Sequence, residues 1–190
     1  MYLFFDTETT GLPRNQRAPL SDFANWPRMV QIAWLAVNET GKECTSGEFI
    51  IRPDGYKIPP DAARVHGITT ERAESEGVPL AGVLVAFSQA VSVSSMVVAH
   101  NFSFDSKIVG AELLRAKMIN GLQKRRHYCT MEASTNFCRL PGPYGYKWPR
   151  LDELYRALFE KKLDGAHRAM ADVRACAECF FELRRRGIIR

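Results

Sequence analysis

Apolar residues run almost unbroken from Met1 to Phe5 and then give way to Asp6-Thr7-Glu8, the pattern of a buried strand over 2–8 that ends in acids. Two further strands are read at 30–38 and 43–52, on either side of the turn Glu39-Thr40-Gly41-Lys42, and predict an antiparallel meander with the first strand. The period then changes. Leu80, Val83, Leu84, Phe87 and Val91 fall at helical spacing, and Phe104, Ile108, Ala111 and Met118 form a second stripe after an apolar strand at 96–100. A short strand at 127–131, a helix over 151–159 and a last helix over 169–186 follow. Three strands first, then alternating helices and strands, predict an α/β fold: a mixed sheet covered by helices.

No repeat, low-complexity tract or linker divides the 190 residues, and 46% hydrophobic content suffices for one sizeable core, so a single domain over 1–190 is expected. The formal charge of +5 draws on Lys124-Arg125-Arg126 and Arg184-Arg185-Arg186, clusters that could meet a polyanion or simply form solvated faces. The N-terminus has neither a basic leader nor a long apolar stretch, and no run approaches a membrane-spanning length, so a cytoplasmic protein with no membrane partner is expected. Five scattered cysteines suit a reducing compartment, and Cys176 and Cys179 read as buried thiols on a helix face, since no second pair completes a zinc site.

The chemistry concentrates in three segments. On a strand, Asp6 and Glu8 point the same way, about 7 Å apart, so one cation can bridge them. Gly11 and Pro13 turn the chain abruptly and leave the backbone beside the acids accessible to a ligand. In Ala99-His100-Asn101-Phe102-Ser103-Phe104-Asp105 a strand ends and a helix begins, the usual position of binding groups in an open α/β sheet. Asp105 there reads equally as a helix cap. Phe102 and Phe104 read as core.

His167 and Asp172 lie five residues apart, which on one helix would leave them about 140° apart, so His167 is expected on a loop opened by Gly165. Asp172 shares a face with Ala169, Ala175, Cys176 and Cys179, small residues that pack closely and would aim its carboxylate at the first strand. Four carboxylates and an imidazole in such a set suit phosphodiester hydrolysis. Two cations roughly 3.5–4 Å apart can stabilise the attacking and leaving oxygens, hard oxygen ligands select Mg2+ or Mn2+, and the imidazole can take a proton from water near neutral pH.

Phe5-Asp6-Thr7-Glu8-Thr9-Thr10-Gly11-Leu12, Ala99-His100-Asn101-Phe102-Ser103-Phe104-Asp105 and His167-Arg168-Ala169-Met170-Ala171-Asp172 resemble the three exonuclease motifs of the DEDD superfamily, and the H-x-x-x-x-D spacing resembles its DEDDh (DnaQ-like) branch. That branch includes proofreading subunits and three-prime repair exonucleases. The resemblance covers nearly the whole chain and implies a ribonuclease H-like fold with stepwise 3′-to-5′ removal of nucleoside 5′-monophosphates from single-stranded or frayed ends, DNA favoured. It implies that Asp6, Glu8 and Asp172 bind two Mg2+ or Mn2+ directly, that Asp105 completes the metal site partly through water, and that His167 is the general base.

Val65-His66-Gly67-Ile68-Thr69 resembles a further family segment, which implies His66 near the terminal nucleotide, with Leu12 against its base, the Thr9 backbone near the 3′-hydroxyl and Asn101 also at the substrate. A loop cap for His66 and a core position for Leu12 are the alternatives. The polar stretch 14–28 is expected to form a loop beside the site and shape substrate entry. Tyr144, Tyr146 and Trp148 beside Lys147 form a composition that can stack bases or pack down. Because the chain ends at Arg190, directly after the last predicted helix, a stand-alone enzyme or a fragment is expected rather than one tethered by a tail, with a polymerase as a possible partner. The alternative functions are an exoribonuclease on the same scaffold and, from another class, a non-catalytic nucleic-acid-binding or polymerase-docking module.

Overall fold

The computed structural model describes residues 1–165 and 168–189. A five-stranded sheet in the order β3-β2-β1-β4-β5 forms its centre. β1 (Tyr2–Thr9) pairs antiparallel with β2 (Met29–Val37) and parallel with β4 (Met96–Ala99). β3 (Glu43–Ile50) lies antiparallel on the outer side of β2, and β5 (Arg126–Cys129) runs parallel to β4 at the other edge. This is the mixed sheet of the ribonuclease H-like fold, as the strand pattern and the motif resemblance together imply.

Strand alternation sorts the side chains into two cores. Leu3 and Phe5 of β1, with Trp34 and Val97, face α3 (Leu80–Val93) and α4 (Phe102–Arg115). Phe4, Leu35 and Val98 face the opposite layer of α6 (Leu151–Phe159) and α7 (Ala169–Arg185), where Cys176 and Cys179 are buried as expected. Trp34 lies directly across from Gly47 of β3, and its ring fills the space a side chain there would need: a Cβ on Gly47 would stand 2.4 Å from it. A third small core, built on Val30, Ile58, Ile68 and Ala73, seats α1 (Pro60–His66) and α2 (Thr70–Glu76) beside the carboxyl end of β1.

Three features depart from the sequence pattern. α5 (Thr130–Cys138) begins where the strand at 127–131 was expected to continue. Its sequence is poor in helix formers, and the hydroxyls of Ser134 and Thr135 donate back to the carbonyls of Thr130 and Met131 at 2.7 and 3.1 Å. Packing against α6 and α7 supplies what propensity does not. α4 ends before Met118, because Lys117 adopts a left-handed conformation (φ 54°) and the Met118 N–H bonds back to Leu113. Finally, the stretch 14–28 forms the expected loop and reaches Asn101 and Phe104 at the edge of the cleft through Gln16 and Trp26, but it packs mainly on α4 and none of it lines the acidic cleft itself. Lys107 donates to the Gln16 carbonyl at 2.7 Å, Arg115 to those of Phe23 and Trp26, and Arg28 pairs with the buried Glu112 at 2.9 Å.

The basic clusters lie away from the acids. Arg126 is at the start of β5, in register with Met96 and so with Tyr2, and Arg184 donates to the Tyr2 hydroxyl. That end of β1 is about 20 Å from Glu8 by strand rise. Arg185 and Arg186 both bond to Glu182. Among the described residues no helix is long and apolar enough to cross a membrane.

Candidate active site

The end of β1 explains how the acids meet. Asp6 and Glu8 are even-numbered positions, so they project to the face that carries α7, and the residue opposite Asp6 on β2 is the small Ala33. α7 seats Ala169, Val173 and Cys176 on that face, which turns Asp172 of its first turn toward the strand. One carboxylate oxygen each from Asp6, Glu8 and Asp172 lie within 4.8 Å of one another, and all three residues are half-buried. Thr7, the odd position between them, projects to the α4 side. There Asp105 accepts its amide at 3.0 Å and its hydroxyl at 2.7 Å. Asp105 is 2% exposed and bonds from α4 to Thr7 of β1, so the reading of a simple helix cap falls away.

Crowding of acids away from water disfavours their charged forms. Burial, then the charges of Asp105, Glu8 and Asp172, holds the Asp6 carboxyl well above its ordinary value. Burial first, with Asp172 and Asp105, pushes Glu8 up to about 8. Asp105 rises to about 7 by burial, against the two Thr7 hydrogen bonds that lower it. Three carboxylate oxygens this close, with the bare anions of Asp6 and Glu8 disfavoured, fit a divalent cation that prefers hard oxygen donors.

A measurable consequence follows from these signs. In metal-free protein the folded-state values exceed the unfolded ones of about 4. The stability these groups confer is therefore full at acid pH and is lost as pH rises through about 7 to 8. The Tm of EDTA-treated protein is expected to fall between pH 5 and pH 8.5, and Mg2+ or Mn2+ at the upper pH to raise it again. A flat Tm that ignores both pH and metal would contradict the clustering.

The acids line one cleft of about 990 Å³ together with Leu12, Asn101, Phe104, Trp148 and Arg150. Leu12 is 81% exposed, which removes its alternative as a core residue. Asn101 is held in the left-handed region (φ 77°) at the start of α4. Thr9 is buried, its hydroxyl donating to the Gly11 carbonyl at 2.7 Å, and this bond fixes the turn after the acids. His66 is buried behind that turn. Its Nδ1 accepts the Ile68 N–H at 3.1 Å, which is the loop-cap role, while its Nε2 lacks a hydrogen-bond partner among the described residues. Burial lowers its pKa, opposed by the neighbouring Thr9 backbone. The expected base, His167, lies outside the described residues.

His100 belongs to this wall although sequence reading gave it no role. The Pro149 carbonyl can only accept, so the Nε2 of His100 donates to it at 3.0 Å, and Nδ1 then accepts from the Thr130 hydroxyl, also at 3.0 Å. Burial drops its pKa to about 4, so this bridge stays neutral. Its partners are 30 and 49 residues away, which no local pattern announces.

Comparison with known proteins places this geometry. The RNase T family model, described as exonuclease, matches residues 3–180. The DNA polymerase III subunit epsilon of Treponema pallidum (strain Nichols) is 28% identical over 176 residues, which cover 93% of this chain and 73% of that protein. Among solved structures, the zinc-bound complex of E. coli exonuclease I with single-stranded DNA aligns with a TM-score of 0.77 at 22% identity, covering 97% of this chain and 40% of that one. The complex of the same E. coli enzyme with a dA16 oligonucleotide aligns with a TM-score of 0.77 at 21% identity, covering 97% and 41%. The chain thus spans about two fifths of exonuclease I, a likeness that concerns the fold. Because the family match runs from the first buried strand through most of the last helix, the chain belongs to the RNase T exonuclease family and is a DnaQ-like 3′-5′ exonuclease.

Proposed function

We propose that this exonuclease removes nucleotides from the 3′ end of single-stranded or frayed DNA, releasing nucleoside 5′-monophosphates. The observation that carries the reading is the convergence of Asp6, Glu8 and Asp172 within 4.8 Å in an open cleft, with Asp105 bonded to the intervening Thr7. In this reading Asp6, Glu8 and Asp172 hold two Mg2+ or Mn2+ ions, and Asp105 supports them partly through water. Bound there, such ions would stabilise charge on the scissile phosphate and on the attacking and leaving oxygens. His167 takes the proton from the attacking water. Leu12 packs against the terminal base, Thr9 offers its backbone to the 3′-hydroxyl, and His66 and Asn101 flank the terminal nucleotide.

Support for DNA comes from the relatives, a DNA polymerase subunit and an exonuclease solved with single-stranded DNA. The test is degradation of end-labelled single-stranded DNA and RNA of matched sequence, with Mg2+, Mn2+ or EDTA. A ladder that shortens from the 3′ end, yields 5′-monophosphates, is faster on DNA and vanishes in EDTA is expected. Faster loss of RNA would replace the substrate class, and shortening from the 5′ end would overturn the reading.

A further inference from the structure

The rim of the acidic cleft carries a large, exposed aromatic group that the hydrolytic step does not use. Trp148 is 62% exposed, and its ring lines the same cleft as Asp6, Glu8 and Asp172. Among the described residues its indole stacks on no other ring and its N–H makes no hydrogen bond. An exposed aromatic face that opens on the acidic cleft is available to a ligand there.

The backbone beneath Trp148 is fixed on both sides, so the ring is presented on a rigid mount. Its neighbour Pro149 is held by the neutral His100 bridge, and Lys147 bonds both oxygens of Glu153 at 2.6 and 2.9 Å. Next along the chain, Arg150 also lines the cleft with its side chain 68% exposed, its guanidinium bonded to both oxygens of Asp152 at 3.0 and 3.1 Å. A flat π surface opening on a site for phosphodiester chemistry matches the face of a nucleobase.

We propose that Trp148 is a stacking platform for a nucleobase of the single strand that feeds the acidic cleft, which would make it a determinant of preference for unpaired substrate. The proposal rests on the nuclease reading above. A base already stacked and paired in a duplex cannot offer its face to the indole, whereas a single strand can.

Fluorescence isolates the contact. The chain has three tryptophans, and Trp26 and Trp34 are only 2% and 4% exposed, so quenching by added ligand reports on Trp148. A short oligothymidylate, added with Mg2+ to the Asp6→Asn protein so that it is not consumed, is expected to quench emission. The same strand with abasic positions at its 3′ end is expected not to quench, nor is the intact strand when added to protein that also carries Trp148→Ala. In kinetics, the ratio of kcat/KM on a single strand to that on p-nitrophenyl thymidine 5′-monophosphate is expected to fall roughly 5- to 150-fold in Trp148→Ala, the equivalent of one base stack. Trp148→Phe should recover most of it.

Equal quenching by intact and abasic strands, or an unchanged ratio, would overturn the assignment. Wild-type protein that hydrolyses neither substrate would instead refute the nuclease reading, while the fluorescence comparison would still decide whether the indole stacks.

Discussion

Replacing Asp6 by asparagine is expected to lower kcat on single-stranded DNA by roughly 10³-fold or more, the scale of removing several kcal/mol of metal-borne charge stabilisation. Asparagine keeps the shape and supplies a donor, but it cannot share a cation with Glu8 and Asp172 on equal terms. Two readouts separate this loss from misfolding. Because burial and three neighbouring acids disfavour the Asp6 carboxylate, removing its charge is expected to raise the Tm of EDTA-treated protein at pH 8. The rise in Tm on adding Mg2+ should shrink at the same time. Turnover equal to wild type would remove Asp6 from the chemistry.

His167→Ala is expected to slow turnover by about 10² to 10⁴-fold, the usual contribution of a positioned proton acceptor. The variant should keep its Mg2+-dependent rise in Tm, since the carboxylates remain. In wild type, kcat should fall toward acid pH as the proton acceptor becomes protonated, and this acid limb should be lost in the variant. Two other histidines near the site serve as comparisons: His100 is bonded through both ring nitrogens, and His66 caps a loop through Nδ1. An acid limb that survives in His167→Ala would assign the proton transfer elsewhere.

What could be read in the sequence was what period and chemistry state locally. Alternation put Asp6 and Glu8 on one face, and the small residues around Asp172 turned it inward; the structure has both. β1, β2 and β4 and the helices at 80–93, 102–115, 151–159 and 169–185 follow strong apolar patterning. α1 and α2 went unread although their marks were present: Pro60 in the first turn and Gly67 at the end of one, Thr69 capping the other. α5 carried no such mark, because its stability lies in contacts with α6 and α7 that a linear pattern does not encode. Long-range partners were equally silent. Nothing near Asp105 says that it will bond Thr7, 98 residues away, and nothing near His100 names Pro149.

The alternation along β1 has a genetic corollary. The strand is hydrogen-bonded on both sides, to β2 along its whole length and to β4 at Tyr2, Leu3 and Phe4. Loss of a single codon within 3–5 would shift everything downstream by one position, so that the carboxylates would swing to the α4 layer and Thr7 would confront Asp172. Swaps among similarly sized apolar residues there would leave that phase untouched. Natural variation in this segment should therefore exchange one apolar residue for another but keep its length, since catalysis fixes the phase of the strand and the two cores fix its apolar character.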